Sequence, residues 1–325
     1  MDLSRRTLLG AAPMTFATGA EGEAPGFRRG RLHVRRYAPA LASAGDRVFL
    51  TGGAPIGKHV GEGHFYSGML TLVEEIGPDL GQQFVANALY PRANHISVVL
   101  DGQIWVLGGR TQHGGEATDV RWLQETERFD MTTQAVWRGP DLPRPRMHLA
   151  GAVHGRNLYI FGGSEVRSSS AFARTNYVLK PPYTEWRSIA PAPIGLANAT
   201  ATVIGDRIFL IGGFDGQASH AVTNVYDIAT DAWTTAAPPH GLSAHAAASV
   251  GHSIVTFGDY THQAATLAFD TRTGVWRRTR IPFVPRRHVR ACRAWNGVVV
   301  AGGNQSSEAP AVDAIEFYPD DMLVA

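Results

Sequence analysis

The chain has 325 residues, of which 44% are hydrophobic, and its formal net charge at pH 7 is +2. That length allows a large buried core, and a charge so close to zero excludes a typical nucleic-acid-binding protein. Glycine (36 residues) and proline (19 residues) are frequent, and short apolar runs lie between them. This pattern is typical of an all-β protein with many turns.

The N-terminal segment has the features of an export signal. Arg5 and Arg6 precede a weakly apolar stretch, and this arrangement resembles a bacterial twin-arginine signal peptide. We therefore expect residues 1–20 to be a signal peptide, 21–26 a linker and 27–325 one folded domain. The mature protein would be periplasmic or secreted, without membrane association after export. A disordered cytosolic tail is the alternative.

Six apolar runs end in a glycine pair or a close match to one. The first glycines of these pairs are Gly52, Gly108, Gly162, Gly212, Gly258 and Gly302. Their spacing of roughly 50 residues, with four short strands per unit, predicts a propeller. One sheet cannot bury both of its faces alone, so the sheets stack in a ring. The sequence therefore predicts a six-bladed β-propeller.

Aromatic residues repeat in step with the glycine pairs. Aromatic–Asp pairs occur at Phe129–Asp130, Tyr226–Asp227 and Phe269–Asp270, and tryptophans follow in four units at Trp137, Trp186, Trp233 and Trp276. Together these residues resemble the kelch repeat over residues 31–318. The fifth unit departs from the pattern, because Asp259 replaces the second glycine. That substitution indicates either a functional site or a degenerate repeat.

The last unit lacks a Trp strand, and the N-terminal "FRRGRLHVRR" has no partner of its own. We predict that this segment supplies the outer strand of the sixth blade and so closes the ring.

The residues that precede each innermost strand can be aligned on the first glycine. Sixteen positions back lie four arginines: Arg36, Arg92, Arg146 and Arg286. Fourteen positions back lie four polar residues: Asn94, His148, Asn198 and His288. Because side chains alternate along a strand, we expect both sets to share one face and the arginines to converge on the channel mouth. Blades three and six are opposite in a six-fold ring, so His148 should face His288.

This arrangement predicts an anion site, since arginine matches a carboxylate with two parallel hydrogen bonds. The candidate ligand-binding residues are Arg36, Arg92, Arg146, Arg286, Asn94, Asn198, His95 and His245. The candidate proton-transfer residues are His148, His288, Glu165 and Asp259. The alternative is structural, with each arginine paired to an acid or to backbone carbonyls. His95 and His245 fall on the other strand face, so we predict no metal site among the four histidines.

Two exported kelch families share features with the chain. "YPRANHISVVLDGQIWVLGGRTQ" and "RAWNGVVVAGGNQ" resemble repeats of the periplasmic N-acetylneuraminate epimerase family, six-bladed propellers that are sialic acid mutarotases. This resemblance implies an isomerase with an acid–base pair and a cation for the substrate carboxylate. The galactose oxidase family, kelch-based copper enzymes, needs a tyrosine crosslinked to a cysteine. Cys292 is the only cysteine, and no tyrosine is obviously paired with it.

We therefore expect a monomeric kelch propeller that binds an acidic small molecule, such as a sialic or uronic acid, without a cofactor or nucleic acid. Whether it also catalyses mutarotation is left open. The alternative is a non-catalytic module that binds an acidic peptide or protein through the same mouth.

Overall fold

The structure is a computed structural model. It describes residues 26–55, 58–60 and 63–65 (backbone only in these two short ranges), 68–112, 120–165, 172–236, 238, 240–307 and 309–324. The signal-peptide prediction for residues 1–20 and nearly all of the predicted linker lie outside this range. In the part of the chain that is described, no helix is long and apolar enough to cross a membrane.

Six four-stranded antiparallel sheets follow one another along the chain. The N-terminal strand is β1 (Arg28–Arg31). The strands of the first blade and its loop hairpin are β2 (Ala40–Ala44), β3 (Arg47–Thr51), β4 (Lys58–Val60), β5 (Gly63–Phe65), β6 (Leu72–Ile76) and β7 (Gln82–Asn87). Those of the second are β8 (Ile96–Leu100), β9 (Gln103–Leu107), β10 (Arg110–Gln112), β11 (Val120–Trp122), β12 (Thr126–Asp130) and β13 (Val136–Arg138).

The remaining blades have no additional hairpin strands among their described residues. The third and fourth contain β14 (Ala150–His154), β15 (Asn157–Phe161), β16 (Asn176–Leu179), β17 (Trp186–Ile189), β18 (Thr200–Ile204), β19 (Arg207–Ile211), β20 (Thr223–Asp227) and β21 (Ala232–Ala236). The fifth and sixth contain β22 (Ala246–Val250), β23 (Ser253–Phe257), β24 (Thr266–Asp270), β25 (Val275–Arg278), β26 (Arg290–Ala294), β27 (Gly297–Ala301) and β28 (Ala314–Pro319), before the short helix α1 (Asp320–Val324).

The ring closes through the N-terminal strand. The sixth sheet has the order β1-β28-β27-β26, and Arg28 pairs with Phe317 in its register. The predicted all-β six-bladed propeller and its closing strand are therefore confirmed. The first strand of each blade is innermost and contacts the first strands of both neighbouring blades, so the six strands enclose a central channel.

The glycine pairs allow the blades to approach closely. At Gly212, whose φ is +57°, an added Cβ would lie 2.2 Å from the carbonyl oxygen of Leu242 in the next blade. The following residue, Gly213, donates its backbone N–H to that same carbonyl at 2.7 Å. A side chain at Gly212 would therefore collide with the seam between the fourth and fifth blades and be strained at this φ.

Candidate functional site

The four repeated arginines are buried structural residues. Arg36, Arg92 and Arg286 are 0% exposed and Arg146 is 1% exposed. Each donates a hydrogen bond to the carbonyl of the first glycine of its own blade, as Arg286 Nε does to Gly302 O at 2.7 Å.

Each of these arginines also forms an ion pair inside its own blade. The pairs are Arg36–Glu74, Arg92–Glu127 (2.7 Å), Arg146–Glu165 (2.6 Å) and Arg286–Glu316 (2.8 Å). The prediction that the arginines converge on an open channel mouth is therefore wrong, and the structural alternative describes them. None of the four guanidinium groups is available to an external anion.

The two blades without such an arginine also lack the acid. Leu196 and Leu242 occupy the arginine position in blades four and five. In the third strand of the first blade, the acid Glu74 pairs with Leu50. At the equivalent position the fourth blade has Asn224, opposite Leu210, and the fifth blade has Leu267, opposite Thr256. Arginine and its strand glutamate thus occur together in three blades and are absent together in two, as a structural pair requires.

The physical reason for the error lies in the segment between arginine and strand. Arg146 precedes the first residue of β14 by four positions, and His148 between them has a φ of +55°. All six residues fourteen positions before the first glycine have φ between +46° and +60°. Side-chain alternation applies to extended strands, so it does not extend through this left-handed residue.

These left-handed residues form a hydrogen-bonded ring around the channel. Five of the six donate their backbone N–H to the carbonyl of the counterpart in the preceding blade, with N···O distances of 2.6–3.1 Å. The described links join Ala38, Asn94, His148, Asn198, Ala244 and His288 in that order. The ring therefore fixes the side chains of these residues around the axis of the propeller.

His148 and His288 meet across the channel, as predicted. Their ring centroids are 6.2 Å apart and the planes differ by 25°. Asn94 Nδ2 donates to His148 Nε2 at 2.7 Å, and His288 Nδ1 donates to Asn304 Oδ1 at 3.0 Å. Burial, followed by the charge of the other histidine, lowers the pKa of His148 well below its ordinary value. Burial lowers the pKa of His288 to about 3, so both rings are neutral at pH 7.

His95 and His245 each share a hydrogen bond with a threonine of the preceding blade, and His245 also lines the central channel. His95 shares a hydrogen bond with Thr51 of the preceding blade at 3.0 Å, and His245 shares one with Thr200 of its preceding blade at 2.9 Å. Both are 0% exposed. Burial lowers the pKa of His95 well below its ordinary value and that of His245 to about 4. These two histidines tie neighbouring blades together.

The central channel contains a cavity of about 110 Å³ that carries one unbalanced positive charge. The first residue of each innermost strand lines it: Ala40, Ile96, Ala150, Thr200, Ala246 and Arg290. Asn198 and His148 also contribute to its wall. Within the described part of the chain, Arg290 is the only charged residue in this lining.

Arg290 has no carboxylate partner among the described residues. Its Nη1 donates to Val289 O at 3.2 Å. Among the described residues, Tyr37 opposes the effect of burial on its pKa. Burial lowers that pKa to about 10, so the guanidinium remains charged at pH 7. Burial is the main cause of the lowered pKa values of four histidines, and the charge of Arg290 contributes to each: His95, His148, His245 and His288. These histidines belong to four blades, which places Arg290 near the axis.

A second arginine lies at the same end of the channel. Arg287 is 8% exposed, and its guanidinium lies 3.9 Å from the ring centroid of Tyr260. The Tyr260 ring also packs edge-on against His288, with centroids 6.1 Å apart. Arg287 thus adds positive charge beside the paired histidines.

The predicted proton-transfer carboxylates are both engaged. Glu165 accepts from Arg146, and Arg144, 69% exposed, lies 3.8 Å from its other oxygen. Asp259 is fully buried and accepts from the backbone N–H groups of Ser243, Tyr260 and His262. Burial raises the pKa of Asp259, but these hydrogen bonds and the His262 ring outweigh burial and lower it.

Known proteins match the chain as a kelch propeller. A family model described as the KLHDC2/KLHL20/DRC7 Kelch-repeats domain matches residues 94–304. The chain belongs to the kelch-repeat family.

Curated relatives of this kelch propeller include spermatocyte protein spe-26 of Caenorhabditis elegans, 24% identical over 70% of this chain and 42% of that protein. Kelch-like protein 23 of Mus musculus is 25% identical over 72% of the chain and 41% of its own length. Kelch domain-containing protein 3 of Bos taurus is 24% identical over 67% of the chain and 62% of its length. The chain thus spans less than half the length of the first two.

A solved structure, "Structure of YjhT", superposes on the kelch propeller with a TM-score of 0.74. It covers 90% of this chain and 97% of its own, at 16% sequence identity. This similarity supports the fold.

The sequence reasoning missed Arg287 and Arg290. Arg290 stands twelve positions before Gly302, and the five corresponding residues are alanine, isoleucine, alanine, threonine and alanine. A single cation among small or uncharged residues was a detectable signal, but the comparison favoured positions where arginine repeats. The arginines that repeat form structural ion pairs, whereas Arg290, which is available to a ligand, occurs in one blade.

Proposed function

We propose that this kelch propeller binds an acidic small molecule whose carboxylate enters the channel and contacts Arg290. One observation carries the proposal: a charged guanidinium lines a cavity with no acid among its described lining residues. Arg290 is partly buried. Holding an unpaired charge in such a position is unfavourable, and a bound carboxylate would compensate it through charge-assisted hydrogen bonds. Asn198 and Thr200 supply further hydrogen-bonding groups in the same wall.

The size of the cavity restricts what can enter. Sites that enclose drug-sized ligands have volumes of about 300–1,000 Å³, whereas this cavity has about 110 Å³. It accommodates a carboxylate and a few neighbouring atoms. For a sialic or uronic acid, the carboxylate end would lie at Arg290 and the sugar ring beyond it. Export to the periplasm and a monomeric state remain part of this proposal.

The histidines favour binding over turnover. A general base works best when its pKa is near the working pH, but burial lowers the pKa of His288 to about 3 and that of His148 well below its ordinary value. Glu165 and Asp259 are held by other groups. We therefore infer a ligand-binding propeller, and mutarotase activity would need a proton-transfer residue other than these four.

Isothermal titration calorimetry tests the proposal with acetate, glucuronate and N-acetylneuraminate, and with glucose as the neutral control. We expect saturable binding of at least one acid and none of glucose. Arg290→Gln should weaken that binding by about 10- to 100-fold, because a hydrogen bond to a charged group contributes about 1.5–3 kcal/mol. Arg144→Gln, at an exposed position, is the matched control and should bind like the wild type.

Equal affinities for the Arg290→Gln and wild-type proteins would overturn the proposal, as would equal binding of glucose. An anomerisation assay on the acid that binds then separates binding from catalysis. Rates equal to the uncatalysed rate support a binding protein. Acceleration that is lost in Arg290→Gln would instead support the mutarotase interpretation.

A further inference from the structure

The one irregular glycine pair contains a cluster of metal-ligating side chains. In the fifth blade, Asp259 replaces the glycine that the other five blades have at this position. His240 and His262 lie beside it, and one ligand atom from each of the three residues lies within 4.8 Å of the other two. Two imidazoles and one carboxylate are a frequent ligand set for divalent transition metals.

The carboxylate of this cluster is already fixed in place. Asp259 is 0% exposed. Its Oδ1 accepts from the backbone N–H of Tyr260 at 2.6 Å and of Ser243 at 3.1 Å, and its Oδ2 lies 2.9 Å from His262 Nδ1. Hydrogen bonds from surrounding groups orient metal-binding side chains and contribute to affinity. The cluster has that support without a metal.

His240 supplies an independent observation. Its Nε2 is buried and has no hydrogen-bond partner among the described residues. The ring packs against that of His262, with centroids 4.6 Å apart. A buried polar atom without a partner is unfavourable and requires an explanation. Burial, and then the neighbouring His262, lower the pKa of His240.

We propose that His240, Asp259 and His262 bind one divalent transition metal ion, with Zn²⁺ as the best match to this ligand set. A metal between these groups would give His240 Nε2 the partner it lacks. It would also account for Asp259, since aspartate at a glycine position is unexplained by the repeat. His262 is 54% exposed, so a coordination position on its side remains open to water or to a ligand, as in zinc sites with three protein ligands.

The test is a Zn²⁺ titration of the full chain without an affinity tag, after treatment with a chelator. We expect one Zn²⁺ per chain, and Co²⁺ should give visible absorption bands at the same stoichiometry. His240→Gln and Asp259→Gly should each weaken binding about tenfold or more. His240→Gln breaks no hydrogen bond of the described residues, so this variant should fold, whereas Asp259→Gly removes the acceptor of three backbone N–H groups and should lower the unfolding temperature. His252→Gln, on an exposed turn of the same blade, is the matched control.

Absence of saturable binding would overturn the proposal and leave a plain Asp259–His262 hydrogen bond. Binding that survives in both His240→Gln and Asp259→Gly would also overturn it, because the metal would then lie elsewhere. The thermal unfolding temperature of each metal-free variant verifies its fold. Carboxylate binding at Arg290 does not enter this test, so the two proposals can fail separately.

Discussion

Replacing Arg286 by alanine tests whether Arg286 is a structural residue, in contrast to Arg290, which is available to a ligand. Arg286 Nη1 donates to Glu316 Oε2 at 2.8 Å and to Val284 O at 2.7 Å, while Nε donates to Gly302 O at 2.7 Å. Both members of the ion pair are 0% exposed. The alanine variant leaves one carboxylate oxygen and two backbone carbonyls without these donors.

The expected cost follows from that burial. Removing one partner of a buried ion pair destabilises a protein by about 3–5 kcal/mol, and we expect the lower end of that range because Arg29 still pairs with Glu316 Oε1 at 2.8 Å. For a chain of this size, about 2 °C of unfolding temperature is lost per kcal/mol, so the midpoint should fall by about 6 °C. Arg290 forms no ion pair with a described residue. Arg290→Ala should therefore stay within about 1 kcal/mol of the wild type, as expected for a change that breaks no buried pair.

The assay is urea unfolding followed by tryptophan fluorescence, with thermal unfolding as a second measurement. Arg286→Ala should have a much lower midpoint than the wild type, and Arg290→Ala should not. If Arg286→Ala were as stable as Arg290→Ala, the interpretation of the four repeated arginines as buried structural pairs would be refuted.

Two further predictions concern the inter-blade seam and the neutral histidines. Gly212→Ala should destabilise the protein by more than about 2 kcal/mol, because left-handed backbone costs a side chain about 1–2 kcal/mol and its Cβ would also meet Leu242 O at 2.2 Å. Gly205 has a φ of +58° and nothing within 4 Å of an added Cβ, so Gly205→Ala should lose only the stability due to the left-handed backbone. Equal losses of stability for the two variants in urea unfolding would contradict a steric collision between the fourth and fifth blades. Stability should be full above pH 6.5 and should fall as the pH drops toward 3, because burial lowers the folded-state pKa of His288 to about 3 and the unfolded chain takes up the proton first. This residue changes the free energy of unfolding by at most about 1.4 kcal/mol per pH unit. His288→Asn should therefore reduce the stability difference between pH 7 and pH 5. An unchanged difference would count against a buried neutral ring.

The fold could be predicted because its signals repeat. The glycine pairs and the tryptophans occur at a regular spacing, and the unpaired N-terminal segment had one vacant edge to fill. The opposition of His148 and His288 also followed from six-fold geometry.

The site could be predicted only in part, because side-chain direction depends on local backbone. The left-handed residue at His148 and its equivalents breaks the alternation that was used to place Arg146. Glu127 and Glu316 could have been identified as arginine partners, since both stand at the same register in third strands. The volume of the cavity and the approach of His240 to Asp259 and His262 required coordinates, because the distances between these side chains depend on the path of the backbone.

A crystal structure of the protein with the tightest-binding acid of the calorimetric series tests the central claim most directly. We predict a carboxylate in the channel, with its oxygens about 2.7–2.9 Å from the Arg290 guanidinium nitrogens, and Arg36, Arg92, Arg146 and Arg286 still paired with their glutamates. A carboxylate bound instead to any of those four arginines, or an acidic side chain of the protein paired with Arg290, would contradict the account.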